Sequence, residues 1–534
     1  MRRRIVAEHR LENGGSSPLV EGLALKRKYR LLRSLWLDRS GNYTVIFGLL
    51  ATLLVVAAGG SIDLTRYLEA RSRLRDAVDG AALMVAGRYK AGETTADALT
   101  SATRTILDQT FTDHDATIGN VTATAGTASL TVTADARVHA FFLPIIGLDS
   151  LTTTTVSSVA WSTTSIEVAM VLDTTGSMAD SDKIGQLKSA ATSMVDSVFA
   201  KAGTSSSVKF GIVPFSHFVN VGPGNAAAAW IDQGAAARSS YYDAYFSSQI
   251  NRLTTYTALG KSWKGCVETR PSPYDVDDTA PTVSNPNTLF VPSFHPDEPD
   301  TFNSYYGNNY LGDKLFSGDD WTRMINAAKY TSPVNVNYSN STLYANYSAP
   351  RGPEFLCSSN ALTRLTTSSA TVKTAISVLT PAGSTNIPEG LAWGWRVLSP
   401  KGPFADGASY SVSDNRKVLV VLTDGTNAIN TFPTALGGAY SSWGFPASGR
   451  LGANPGVDLR DGLDAKMRTI CTKVKAAGIQ IYTIGLMITD TAGQQLLADC
   501  SSGTGFYYDS PTAAQLQSVF DDIAKKISKL RIAS

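Results

Sequence analysis

Residues 166–177 read IEVAMVLDTTGS: a seven-residue run that is apolar except for one glutamate, then an aspartate, two threonines, a glycine and a serine. A run this short and bare suits a strand covered on both faces. Three more share its character: VKFGIVPF (208–215), KVLVVL (417–422) and IQIYTIGL (479–486). Amphipathic stretches between and after them predict helices over 183–199, 362–379, 389–398, 459–477 and 511–530. Strands alternating with helices predict an α/β fold with a doubly wound, mainly parallel sheet. In such sheets ligands gather at the carboxyl ends of the strands. One stretch breaks the rhythm. Residues 217–360, rich in Asn, Ser, Pro and aromatics such as Trp230, Trp263, Tyr310 and Trp321, predict a large loop-rich insertion. That composition suits a recognition surface, and it equally suits loops with no partner.

The first strand ends where the chemistry begins. Asp173, Thr175 and Ser177 alternate along the loop after it, which directs three oxygens into one concavity, and Gly176 permits the tight path. Hard oxygen donors suit Mg²⁺, Mn²⁺ or Ca²⁺ and poorly suit zinc or copper. Two later loops supply further oxygens: Ser384, Thr385 and Asn386 between two predicted helices, and Thr423, Asp424 and Gly425 after KVLVVL.

With these loops on the page, residues 166–534 outside the insertion resemble the von Willebrand factor A domain family, a Rossmann-like fold. Its metal-ion-dependent adhesion site has the pattern DxSxS, then a Thr, then an Asp. The matching positions are Asp173, Thr175 and Ser177, then Thr385, then Asp424, with Thr175 keeping the hydroxyl of the first Ser. The resemblance implies a divalent cation whose coordination is completed by an acidic group of a protein partner, hence binding and not catalysis. A different class also fits DTTGS after an apolar strand. It resembles the aspartyl-phosphate loop of haloacid-dehalogenase-type phosphotransferases, with Asp173 as nucleophile and a Mg²⁺ ion. That chemistry wants a phosphate-binding lysine and a second acidic pair at a strand end, whereas the obvious pair, Asp521 and Asp522, falls inside the last predicted helix. The acids Asp275, Asp277, Asp278, Asp297, Glu298 and Asp300 offer a calcium site in principle, although acids in a Pro-rich loop are more often solvated.

Composition bounds the rest. With 534 residues, 43% apolar and 17% charged, the chain has enough core for two to four domains and is far too apolar for disorder. A net charge of +2 gives no support to nucleic-acid binding. The charge is unevenly placed: residues 1–40 carry ten Lys/Arg against four acids. Immediately after this basic segment, residues 41–62 (GNYTVIFGLLATLLVVAAGGSI) hold no charge, and 22 residues of helix span roughly 30 Å. The positive-inside bias then leaves residues 1–40 in the cytoplasm and exports the body. Val56 and Ala58 also offer a signal-peptidase pattern, but the leader would be long and helical spacing continues through Leu74, Ala77, Val78, Ala81 and Val85. A retained anchor is the expectation.

Residues 63–165 predict that helix followed by a small α+β module, with strand alternation at Leu130–Val138 and at 151–161. Four cysteines in an exported body suggest two disulfides. Order along the chain favours Cys266 with Cys357 and Cys471 with Cys500 among the three pairings possible.

Taken whole, the order of parts resembles TadG-type proteins of the tight-adherence (Flp) pilus assembly system of bacteria, with a TadE/TadG-like anchor. The residues that carry this are GNYTVIFGLLA, RYLEARSRLRDAVDGAAL (66–83), DTTGSM (173–178), WKGCVE (263–268), STNIPEGLAWGW (384–395) and TDG (423–425). The resemblance implies a single-pass inner-membrane protein, body in the periplasm, that contacts pilus or secretion-system components. It departs from pilin-like relatives at one point. They are cut after a Gly with Glu five residues on, and here Ile46 stands five residues after Gly41.

Overall fold

The computed structural model describes residues 42–530, apart from 91–94, 127–128, 161–164, 201–207, 238–245, 301–306, 341–349, 430–433 and 453–458 and the single positions 315, 435, 437 and 511. The basic segment 1–40 therefore lies outside the described residues. The chain divides into two compact units, one ending at Ala160 and one beginning at Trp161.

The first unit is organised by one helix, α1 (Asn42–Lys90). Its early residues are exposed and apolar (Phe47, Leu49, Leu53, Leu54), while further on Ala70, Leu74, Val78, Ala81, Ala82 and Val85 form a buried stripe. The spacing of that stripe matches helical periodicity and marks the face turned to the rest of the unit. A second helix, α2 (Ala96–Thr110), starts where the Thr95 hydroxyl accepts the Ala98 amide, and buries Leu99, Ala102, Thr103, Ile106 and Leu107. Three antiparallel strands follow in the order β1 (Ala116–Ala125), β2 (Ser129–His139), β3 (Ser150–Ala160). Along β2, Leu130, Val132, Ala134, Ala136 and Val138 point into the core, the period-two alternation read from the sequence.

The second unit holds a six-stranded sheet. Its elements are β4 (Ser165–Asp173), α3 (Lys183–Ala200), β5 (Val208–Phe215), β6 (Thr363–Thr366), α4 (Ser369–Ser377), α5 (Ile387–Leu398), β7 (Asn415–Thr423), α6 (Leu459–Ala476), β8 (Gln480–Leu486), α7 (Thr491–Cys500), β9 (Tyr507–Ser510) and α8 (Leu516–Leu530). Strand order is β6-β5-β4-β7-β8-β9, and every pairing is parallel except β5 with β6. The predicted helix over 362–379 is therefore in part an edge strand: β6 takes Thr363–Thr366, and α4 begins only after Ser368, whose hydroxyl caps it by accepting the Thr371 amide. A hydroxyl that competes for backbone amides favours a cap over a helix interior.

Both faces of the sheet are covered, which is why its strands read as bare apolar runs. On one side Val168, Met170, Leu172, Ile212 and Val420 share a core with residues of α3, α4 and α8; on the other Ala169, Val171, Val213 and Val421 pack with α5 and α6. Helix α5 is itself buried along all twelve residues. The segment between β5 and β6 accounts for this by closing over it. Among its described residues that segment has two short α-helices, at Arg252–Ala258 and Asp320–Ile325, a few 3-10 turns, and no strand of the main sheet. It brings Phe290 to 4.7 Å and Trp230 to 6.3 Å from the Trp393 ring of α5. Trp263 and Tyr310 are buried in the same core, while Trp321 is exposed. The predicted recognition aromatics are thus divided, and three of the four named above serve packing.

Cys266 pairs with Cys357 inside this segment, and Cys471 of α6 pairs with Cys500 of α7. The acids of the segment do not gather into the calcium site considered above, nor are they solvated. Asp275 pairs with Lys466, Asp277 with Arg270, Asp278 with Lys401 and Asp297 with Lys329, each serving a separate join. Burial pushes the Asp297 carboxyl up to about 6 against the pull of Lys329.

Helix α5 approaches the sheet through glycines. A Cβ at Gly394 would stand 2.5 Å from Val171 Cγ2 and 2.6 Å from Leu419 Cδ1, inside contact distance. Gly394→Val is expected to destabilise the protein by about 1–3 kcal/mol through overpacking, read as a lower midpoint in urea denaturation.

Candidate functional site

At the carboxyl ends of β4 and β7, three loops meet. The loop 173–177 leaves the central strand β4, the loop 382–386 enters α5, and the loop 423–428 leaves β7. Main-chain bonds tie the first two: Gly176 N donates to Gly383 O at 2.9 Å and Ala382 N to Thr174 O at 2.8 Å. A two-way pair ties the second to the third, Thr385 N to Ala428 O at 3.0 Å and Ala428 N to Thr385 O at 2.9 Å. Backbone joins of this kind hold the loops in one arrangement.

Within this frame Asp173, Thr175, Ser177 and Asp424, four of the five residues picked out from the sequence, are linked into one cluster. Asp173 is fully buried; one carboxylate oxygen accepts the Thr175 amide at 2.7 Å and the other accepts the Thr423 hydroxyl at 2.6 Å. Thr175 Oγ1 and Ser177 Oγ lie 3.1 Å apart, and Ser177 Oγ donates to Asp424 Oδ1 at 2.7 Å. Thr385 stands beside the same loop, since a Cβ placed on Gly425 would be 3.6 Å from Thr385 Oγ1. The floor of the cluster is closed to solvent and its rim is open: Gly176 is exposed, and Ser177, Gly425 and Thr426 are half-buried.

Three participants were not among the site residues chosen from the sequence. Thr423 supplies the hydroxyl on Asp173. Lys183, the first residue of α3, puts its ammonium 2.8 Å from Asp424 Oδ2. His217 lies beneath the second loop, where its Nδ1 accepts the Ser384 amide at 3.1 Å and its carbonyl accepts from Asn386 Nδ2 at 3.0 Å. Burial, aided by nearby His295, lowers the His217 ring to about 3, so it is neutral and can act as an acceptor. The fit around it is close: Gly383 has φ +91°, and a Cβ there would be 2.6 Å from His217 Nδ1, so glycine is required on both counts. Lys183 carries a weak local signal, as a cation a few residues past the DTTGS loop, but nothing in the sequence locates its target 241 positions away.

The electrostatics of the cluster are unbalanced. Burial, reinforced by the charge of Asp424, pushes the Asp173 carboxyl up to about 7. One ammonium faces two carboxylates, and Lys183 reaches only the outer oxygen of Asp424. The donor set is therefore two carboxylates and neutral hydroxyls, all hard oxygens, with a surplus of negative charge. This chemistry fits a divalent cation of the Mg²⁺, Mn²⁺ or Ca²⁺ kind. Among the described residues there is no group of three or more His, Cys, Asp or Glu side chains placed to hold a metal ion, and this cluster brings two acids with hydroxyls instead.

Comparison with known proteins adds the following. Residues 41–88 match the family described as Flp pilus-assembly TadE/G-like, a small part of the chain. No curated protein matches. Among solved structures, the vWF domain of the type V pili tip protein Mfa5 from Porphyromonas gingivalis aligns with a TM-score of 0.32 and 12% identity, over 70% of this chain and 97% of that one. The pilus adhesin RrgA from Streptococcus pneumoniae gives 0.33 and 9%, over 78% of this chain and 49% of that one. The pilus adhesin SpaC from Lactobacillus rhamnosus GG gives 0.32 and 12% over 78% of this chain, which spans only 35% of SpaC. Likenesses of this size decide neither fold nor function.

The raised Asp173 carboxyl has a consequence for stability. A carboxyl with an ordinary value near 4 unfolded and about 7 folded contributes stability below pH 4 that is lost as pH rises towards 7. In chelator-containing buffer the thermal midpoint should therefore carry a falling component between about pH 4 and 7. Asp173→Asn should flatten that component, and an unchanged slope in the variant would refute the assignment.

Proposed function

We propose that this protein is a membrane-anchored, divalent-cation-dependent binding component of a Tad/Flp-type pilus assembly system, built on a von Willebrand factor A-type doubly wound domain. The observation that supports it most is the meeting of Asp173, Thr175, Ser177, Thr385 and Asp424 from three chain-distant loops at the rim of a parallel sheet. Asp173, Thr175, Ser177, Thr385 and Asp424 would hold the ion. A divalent cation held there would supply positive charge against the two carboxylates. The protein's part is to fix the oxygens: Thr423 and the Thr175 amide orient Asp173, Ser177 orients Asp424, and the buried floor keeps competing water away.

An acidic side chain of a protein partner is the natural complement of such a rim. The match of residues 41–88 to a pilus-assembly family supports pilus or secretion-system components as that partner. In this reading α1 is a single-pass anchor in a bacterial inner membrane, with residues 1–40 cytoplasmic and the body in the periplasm, an oxidising compartment that suits two disulfides. The phosphotransferase reading gains one of its elements, the Lys183 ammonium beside Asp424, but lacks, among the described residues, the second acidic pair at a strand end. Both oxygens of Asp173 are engaged and shielded, which suits a ligand better than a nucleophile, and Asp521 and Asp522 sit on α8.

Two measurements test this. Mg²⁺ or Mn²⁺ should raise the thermal midpoint, more at pH 8 than at pH 5, because the cation must displace the proton held by Asp173. In pull-downs from solubilised membranes, chelator or Asp173→Ala should abolish partner capture while the protein stays folded. Capture that survives both treatments sinks the proposal.

A further inference from the structure

Between β2 and β3 the chain makes a turn that a water-soluble module has no use for. Residues 140–148 read AFFLPIIGL, nine residues without a charge, bounded by exposed His139 and Asp149. Its middle is a short 3-10 turn, Leu143–Ile146, with no buried residue. Phe141 is 74% exposed, Ile145 57%, Ile146 54% and Leu148 49%. Contiguous exposed apolar surface of this kind marks a contact.

The turn is fastened to α1 at one level. Asp63 is buried, and its carboxylate accepts the amides of Phe141 at 2.9 Å, Phe142 at 2.8 Å and Leu143 at 2.9 Å. One helical turn earlier, α1 presents Gly59, where any Cβ would collide with the Phe142 ring, and a Cβ at Gly60 would touch Leu143. Gly59 and Gly60 belong to the last turn of the uncharged segment 41–62, and Asp63 is the first charge after it. The apolar turn thus lies alongside the body-side end of the candidate span, and α1 itself carries exposed Ile62, Leu64 and Leu68 just beyond that level.

Its backbone is also satisfied from within. Besides the three amides on Asp63, Ile145 N donates to Phe142 O at 3.2 Å, Gly147 N to Pro144 O at 3.0 Å and Leu148 N to Leu143 O at 3.2 Å. Pro144 has no amide to satisfy. Internal satisfaction of backbone groups is what a lipid environment demands and what water does not.

We propose that residues 141–148 form a second membrane contact, embedded in the outer face of the bilayer that α1 crosses, with Asp63 as the clasp that holds the turn at that depth. The occupant is the acyl and glycerol region of the lipid. Two attachment points, a helix through the bilayer and a wedge in its surface, fix the rotation of the first unit about the helix axis, which one helix alone leaves free. The proposal rests on the anchor reading of α1.

The test uses full-length protein reconstituted in phospholipid vesicles, with an environment-sensitive NBD label on one added cysteine at a time: Leu53→Cys in the candidate span, Ile146→Cys and Leu148→Cys in the turn, and Thr154→Cys on exposed β3 as the solvent control. Labels at 53, 146 and 148 are expected to emit to the blue of the label at 154. They should lose most of their intensity to doxyl-labelled lipid and resist aqueous iodide. Lipid quenching at 53 with iodide quenching at 146 and 148 overturns the wedge and leaves the anchor standing. Absence of lipid quenching at 53 removes the anchor and the wedge together. Labels at 146 and 148 shielded from both quenchers overturn the proposal in favour of a protein surface, a second copy of this chain included.

Discussion

A carboxylate with no access to water, Asp173 at the end of the central strand, is the constraint around which the second unit is arranged. Leaving such a group buried is costly unless every oxygen is engaged. The Thr175 amide and the Thr423 hydroxyl engage it, and each comes from a different loop. Holding those donors requires the loops to be joined, hence the main-chain ties between 174–176 and 382–383 and the two-way pair between Thr385 and Ala428. Joining them in turn requires Gly383 over a neutral His217. Cation binding would thus draw on an arrangement already built, with little left to order when a partner arrives.

Much of the second unit was legible because burial on both faces leaves strands with little but apolar residues. β4, β5, β7 and β8 were read nearly to their ends for that reason. β6 and β9, four residues each, were missed: edge strands this short and polar leave no period to count. α7 escaped because ten residues of mixed Gln, Ala and Leu make a faint stripe. In the first unit α2 was hidden by threonine, yet three of its threonines bond back to carbonyls four residues earlier and so sit in a helix without unmet hydroxyls.

The candidate cluster was legible in its oxygens and not in its electrostatics. The pattern of Asp, Thr and Ser names oxygen-bearing side chains along the chain, and the loops carrying them were placed by their position after strands. Lys183, Thr423 and His217 act across 241, 250 and 167 positions, distances at which no local spacing rule operates. The aromatics of the long insertion illustrate the opposite failure. Tyr and Trp among Asn and Ser suit a recognition loop, but α5 needed a roof over its outer face, and Trp230 and Phe290 provide it. The acids beside them were ascribed to solvent or calcium because their partners are remote in sequence, Lys329 further on in the same insertion and Lys401 and Lys466 beyond it.

Helix α1 runs for 49 residues without a break. At 1.5 Å per residue that is a rod of about 70 Å, of which less than half is needed to cross a bilayer. No hinge separates the part suited to lipid from the part that forms the spine of the first unit. Under the anchor reading, the angle at which the rod stands in the membrane becomes a mechanical input: leaning it by a few degrees sweeps its far end sideways, as a mast does when the hull rolls. Local bilayer thickness, which sets that lean, would then steer the small sheet carried on the rod.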